Sequence, residues 1–411
     1  MTGATRPPVS DFATDFDHTD PTWVTDPFPI WEDLRGRCPV AHSERYGGVW
    51  LPTRHEDISA IAYDTDHFSS QGVVVSEVKP DVPAPMGGAP PITSDPPFHA
   101  FARRLLLPAF APRPIAALEP ATRQLCRDLL DAISAADHGG DPVPCDVAID
   151  YAQGIPPAVI ARMLGLPPED DELFRGFIHD VLENLSADDG EETRADRFED
   201  LDTYLDRHIA DHVAHPREDL ISFLLDVEIE GAKLAPEHVR GTVVLLLIAG
   251  IDTTWSAIGA ALWHLAAHPE DRHRLAAQPE LMPVAVEELL RAYAPVTMAR
   301  IVAEEVEVGG RSMSPGDWVL LPFPAANRDP DVFEDADRVV LDRAVNRHTS
   351  FGLGIHRCLG SNLARMELTV ALEEWMARFP DFELADPQAV TWSSGQVRGP
   401  RSVPVRLLTC A

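Results

Sequence analysis

The sequence predicts a single domain that is mainly α with a minor β part. Three observations predict it. From His99 onward, apolar residues recur at three- and four-residue spacing with few breaks. One stretch, PEHVRGTVVLLLIAGIDTTWSAIGAALWHLAAHP, sustains that character over about 30 residues, or ~45 Å of helix. The β-like pieces (EVEVGG, DWVLLPF) are short and sit between Gly and Pro turns.

Residues 1–20 are polar and lack a basic or apolar leader pattern, so they read as a flexible tail rather than a signal peptide. The domain then spans 21–411. LPTRHEDISAIAYDTDHF reads as a strand running into a helix. Residues 80–97 hold seven prolines and an adjacent glycine pair, which excludes regular structure and suggests a loop or lid. LEPATRQLCRDLLDAI and DELFRGFIHDVLENL are amphipathic helices, and the acidic run DDGEETRADRFEDLD after them is a solvated face or loop. The long stretch has Pro236 in its first turn and Pro269 just past its end. It is apolar nearly all round and therefore belongs in the core, yet Asp252, Thr253 and Thr254 stand at its middle. MPVAVEELLRAY and SNLARMELTVALEEWMARF are further helices. No internal repeat interrupts the pattern.

Composition narrows the function. Hydrophobic residues make up 45% and charged residues 24%, which supports a large core without staples. With 34 basic and 66 acidic residues the formal charge is −32, a field that repels nucleic acid and anionic membrane surfaces. No uninterrupted apolar run approaches the ~20 residues of a membrane span. The five cysteines are dispersed, which argues against a disulfide framework and against a Cys-x-x-Cys metal knuckle. A soluble, cytoplasmic protein is expected.

The stretch FGLGIHRCLG, residues 351–360, concentrates three glycines around Cys358. Gly352 and Gly354 permit a tight turn with positive φ, and Gly360 stands where a helix begins. A thiolate at a helix N-terminus, faced by backbone N–H groups, is stabilised as an anion. With no second cysteine nearby, it suits a metal whose other ligands are not protein, and haem iron fits. Here the chain resembles the cytochrome P450 haem-thiolate monooxygenases, whose signature FxxGxxxCxG is matched by Phe351, Gly354, Cys358 and Gly360. The resemblance implies the fold of that family, with haem b buried between the long central helix and the Cys loop, and Cys358 as the axial ligand.

Three more motifs follow in the family's order. Glu288 and Arg291 match its ExxR pair, which the resemblance makes a buried support of the proximal side. PDVFEDADRVVLDR, with Arg343 or Asn346, is the candidate meander to which the pair is tied. Ala249-Gly250-Ile251-Asp252-Thr253-Thr254 matches the stretch that crosses the distal face. Read without the family, its threonines could simply bond carbonyls four residues back. An acid beside an alcohol in an apolar helix is nonetheless expensive unless bonded or used. The resemblance makes Gly250 room for dioxygen in a distorted helix, Thr253 the holder of a proton-delivering water, and Asp252 its relay to solvent, with Thr254 supporting. Ser94 or Asp95 could cap the helix after Pro96. His99 and Arg103 then share a face. By resemblance they clamp the haem propionates together with Arg300 and His356.

The resemblance also implies O2 as co-substrate and electrons from a separate ferredoxin and ferredoxin reductase fed by NAD(P)H, because too few residues follow Cys358 for a fused reductase. Arg104, Arg113 and Arg357 are the candidate docking cations. The expected pocket takes Val73 and Met86 from the loop, Leu246 and Ala249 from the long helix, Val296 and Met298 after ExxR, and Val397 near the C-terminus. These side chains are apolar, so the expected substrate is a hydrophobic small molecule that is hydroxylated or O/N-dealkylated. A peroxide-driven peroxygenase or isomerase, and a non-catalytic haem sensor, are the alternatives. The Asp252–Thr253 pair speaks against both.

Overall fold

In the computed structural model, the described residues are 7–75, 89–135, 144–167, 170, 191–229 and 232–408. Most of them are helical, with short strands, as the patterning requires. The long helix spans Pro236–Ala267, 32 residues, with Pro236 in its first turn, and Pro269 opens the next helix, Pro269–Ala277. By length and hydropathy alone it could cross a membrane, but 67% of its most apolar window is buried inside the protein. It packs against the helices Ile155–Leu164 and Ser361–Arg378. The helical assignment is continuous through 249–254.

The helix Pro112–Ala135 begins six residues before Leu118. It buries Ile115, Thr122, Cys126, Leu130 and Ile133, a spacing that turns one stripe onto Ser361–Arg378. The acidic run is helical from Glu191, within Glu191–Ala214. The helix expected over 171–185, and residues 80–88 of the proline-rich loop, lie outside the described residues, as do Met86 and Cys410.

Five strands form the main sheet, in spatial order Val40–Ser43, Val49–Pro52, Trp318–Pro322, Thr297–Val302 and Phe68–Ser69. All neighbours are antiparallel except Trp318–Pro322 with Val49–Pro52. In this register Arg300 pairs with Val319 at the centre of the sheet.

Two expectations need correction. Residues 7–20 are not a loose tail. Phe16 is buried against Trp23, and Arg45 binds Asp15 and Asp17 at 2.6 and 2.8 Å. The segment is acidic because it receives a cation, not because it is solvated. Neither Ser94 nor Asp95 caps the next helix. That helix starts at Phe98, behind Pro97, without a side-chain cap. The Asp95 carboxylate is already committed, accepting from Ser69 Oγ (2.6 Å), Ser70 N (2.7 Å) and Gln71 Nε2 (3.0 Å).

Candidate functional site: a thiol loop facing unneutralised cations

The Cys loop is shaped by its glycines. Gly352 and Gly354 have φ of +69° and +65°. A Cβ on Gly354 would stand 2.3 Å from the Ala62 carbonyl oxygen, so the loop presses directly on the end of the helix His55–Tyr63. Cys358 N donates to Phe351 O at 2.6 Å, which closes the turn. Gly360 caps the helix Ser361–Arg378. Desolvation pushes the Cys358 thiol up, while the Gly360 N–H and the cations Arg103, Arg357 and Arg365 pull it down. The side chain is enclosed by protein yet accessible, so it faces an opening rather than packed core. Ala249, in the middle of the buried central helix, is accessible as well.

The expected propionate ligands do converge. The His99 and His356 rings lie 4.3 Å apart, and each has a buried Nε2 with no hydrogen-bond partner among the described residues. Arg300 is buried and donates to its neighbouring Ala299 O at 2.7 Å. Arg103 Nη2 donates to the carbonyl of Arg357, in the Cys loop. Desolvation, then Arg103 and Arg300, hold His99 down at about 4 against the opposing pull of Asp95. Desolvation, then Arg300, His99 and Arg103, hold His356 down at about 2. Arg300 is lowered to about 10 by burial. Two unpartnered ring nitrogens and two guanidinium groups therefore gather with no bound carboxylate among the described residues. A ligand carrying two carboxylates, as haem does, fits this cluster.

Behind the loop, Glu288 and Arg291 are both fully buried. Arg291 Nε and Nη2 each donate to Glu288 at 2.8 Å. The remaining Arg291 protons go to the carbonyls of Asn327, Ala336 and Arg338. Glu288 also accepts from Val340 N (2.8 Å), Arg343 Nε (2.9 Å) and Asn346 Nδ2 (3.2 Å). Both meander candidates thus take part. Glu288 is held below the usual carboxylate range: desolvation opposes ionisation, but Arg291 and Arg343 outweigh it.

On the central helix, Thr253 Oγ1 donates to Ala249 O at 2.7 Å. With its proton committed, the hydroxyl presents only lone pairs to the surroundings. Asp252 is buried and accepts from Arg401 Nη2 at 2.6 Å. Arg401 also donates to Ser256 Oγ (3.1 Å) and lies over the Trp255 ring. A Cβ on Gly250 would meet the Ile160 side chain at 3.7 Å, an ordinary van der Waals contact, so a methyl group fits there without a clash.

Three of the expected pocket segments meet. Val296 bridges Val397, and Ala299 N donates to Val73 O at 3.0 Å. The Gln396 amide fastens them, accepting from Val75 N (2.6 Å) and donating to Thr297 O (2.8 Å) and Val73 O (3.2 Å). Met298 is half-buried on the same strand. Leu246 is buried three residues before Ala249, and no hydrogen bond among the described residues ties either to this cluster. An open cleft of about 1010 Å³ lies elsewhere, walled by residues such as Pro108, Met163, Phe223 and Leu234, and no expected site residue lines it.

Sequence reasoning missed Arg401 and a second carboxylate, Glu287. Arg365 donates to Glu287 at 2.6 and 2.8 Å, and His348 Nε2 lies 3.1 Å from it. Its position beside the ExxR glutamate was the available signal.

The cytochrome P450 family model matches residues 171–390. Nocardicin C N-oxygenase of Nocardia uniformis subsp. tsuyamanensis is 38% identical over 90% of this chain and 92% of its own. Mycinamicin IV hydroxylase/epoxidase of Micromonospora griseorubida is 33% identical over 87% and 89%. Among solved structures, the cytochrome P450 PksS of the Bacillus subtilis 168 bacillaene polyketide synthase superposes with a TM-score of 0.86 at 30% identity. It covers 96% of this chain and 100% of its own.

Proposed function

This chain belongs to the cytochrome P450 family, as a haem-thiolate monooxygenase, and from that premise we propose how its residues divide the work. Haem, held through the Cys358 thiolate, supplies the activation of dioxygen when bound. His99, Arg103, Arg300 and His356 hold its two carboxylates. The observation that carries this assignment is the pair of buried, unpartnered Nε2 atoms beside two guanidinium groups. Phe351 and Gly354 shape the loop, and Glu288 and Arg291 anchor the meander that backs it.

Thr253 orients a water as its hydrogen-bond acceptor, since its own proton is spent on Ala249 O. Asp252, held by Arg401, passes protons to that water. Gly250 keeps the space beside them open. Substrate lies against Val73, Val296, Met298 and Val397, with Leu246 and Ala249 completing the wall. The apolar lining selects a hydrophobic small molecule, oxidised at a C–H bond or an alkyl group on O or N. Electrons arrive from a ferredoxin and its NAD(P)H-dependent reductase, which dock on exposed Arg104, Arg113 and Arg357. The acidic chain is soluble and cytoplasmic in this reading.

The test compares two electron sources with a substrate found by its displacement of the iron-bound water. Turnover with reduced ferredoxin and O2, and little with peroxide, is expected. In Thr253→Ala, NAD(P)H consumption should persist while product per electron falls and peroxide rises. Unchanged product per electron would remove Thr253 from the relay, and efficient turnover with peroxide alone would favour a peroxygenase.

A further inference from the structure

Glu287 sits one position before the ExxR glutamate on the helix Met282–Ala292, but its partners are different ones. Its two oxygens take the Arg365 fork at 2.6 and 2.8 Å. His348 Nδ1 lies 3.2 Å from Ser350 N and accepts from it, which places the ring proton on Nε2, facing Glu287 at 3.1 Å. The Arg365 guanidinium lies 4.3 Å from the centroid of Phe351, the first residue of the Cys loop. Its charge reaches the Cys358 sulfur, together with those of Arg103 and Arg357. Of these three cations, Arg365 alone has a carboxylate partner among the described contacts. Arg103 is bonded to a carbonyl, and Arg357 is exposed.

We propose that the Glu287–Arg365 pair trims the positive charge standing behind the Cys358 thiolate and thereby sets the reduction potential of the bound haem. Reduction adds one electron to ferric iron and moves no proton and no bond, so the site gains one negative charge. Net positive charge nearby favours the reduced state, and net negative charge disfavours it. Glu287 and Arg365 act through the loop and touch neither substrate nor haem in this scheme, so they are positioning residues. Each side chain is about 30% accessible, so solvent screens part of the effect.

The proposal rests on Cys358 holding haem and is independent of the Asp252–Thr253 relay. The test is a mediator-dye redox titration of the holoenzyme and its variants, each first checked for thiolate ligation by its carbon-monoxide difference spectrum. Glu287→Gln leaves Arg365 unneutralised and should raise the ferrous-to-ferric ratio several-fold at a fixed ambient potential. Arg365→Gln should lower it several-fold, where tenfold corresponds to ~59 mV. A purely structural role cannot produce opposite signs. Shifts in the same direction, or ratios within twofold of the parent in both variants with the thiolate band intact, would overturn the proposal. Arg365→Lys keeps the charge but gives up the fork and the ring stacking, so its ratio should stay within twofold of the parent. A several-fold shift there would assign the effect to geometry, and it decides the matter even where a neutral variant fails to take up haem. Loss of the thiolate band in the parent would instead indict the ligand assignment.

Discussion

Arg401, on the strand Pro400–Ser402, reaches across 149 residues to hold the Asp252 carboxylate at 2.6 Å. The strand has little freedom to retreat. Ser402 Oγ and Val403 N both donate to Asp146, at 2.6 and 2.9 Å, and a Cβ on Gly399 would collide with Ser256. Arg401→Ala strips a buried carboxylate of its guanidinium and should cost about 3 kcal/mol. Asp252→Asn leaves a more accessible cation behind and should cost less, while lowering product formed per electron. Urea unfolding at pH 7 reads the asymmetry. Equal losses in the two variants would contradict it.

The ExxR pair makes a stronger demand. Arg291→Ala leaves Glu288 buried among donors arranged for an ion pair and frees the carbonyls of Asn327, Ala336 and Arg338. A loss of ~3–5 kcal/mol is expected, together with a fall in haem bound per protein. Pyridine-haem quantification beside a denaturation curve measures both. Full haem content at parental stability would rule out the anchoring role.

Gly354 is replaceable by no L-residue without rearrangement. Positive φ costs roughly 1–2 kcal/mol for alanine, and the Ala62 carbonyl adds a backbone clash. Gly354→Ala should lower haem occupancy and stability, whereas Gly395→Ala, which has open space around it and the same φ sign, should show only the conformational cost. Comparing the two melting temperatures separates clash from conformation. Equal losses would mean that the loop does not press on the helix His55–Tyr63.

Glu367 has no part in the proposed chemistry. It is buried, its Oε2 has no hydrogen-bond partner among the described residues, and desolvation raises its carboxyl well above the usual range. The folded protein therefore keeps a proton that the unfolded chain gives up above its ordinary value of 4.5. The stability this confers is present below 4.5 and is lost as pH rises toward the raised folded value. Glu367→Gln should flatten that decline and be more stable than the parent at pH 8, with a smaller difference at pH 4. Unfolding midpoints at the two pH values check it, and a parent more stable than the variant at pH 8 would contradict it.

What could be read from the sequence was local or motif-borne. The central helix, the ExxR helix and the Cys loop carry their periodicity or glycine spacing within a few turns, and the structure places them as expected. Arg343 and Asn346 were legible because the meander follows its motif in order. Arg401 was not, because nothing in RGPRS signals a partner 149 residues earlier on another element. The tail failed for a related reason. Asp15 and Asp17 look solvated by composition, and only the fold brings Arg45 to them. Asp95 looked like a cap because caps are judged from the next few residues, whereas its donors come from 69–71.

The central claim is that Cys358, in its glycine-shaped loop, is the thiolate on haem iron. The most direct measurement is the difference spectrum of the reduced, carbon-monoxide-bound holoprotein beside that of Cys358→Ala. A band near ~450 nm is expected for the parent, since a thiolate ligand donates strongly to the iron, and it should vanish in the variant. A parent without that band, or a variant that keeps it, would contradict the assignment.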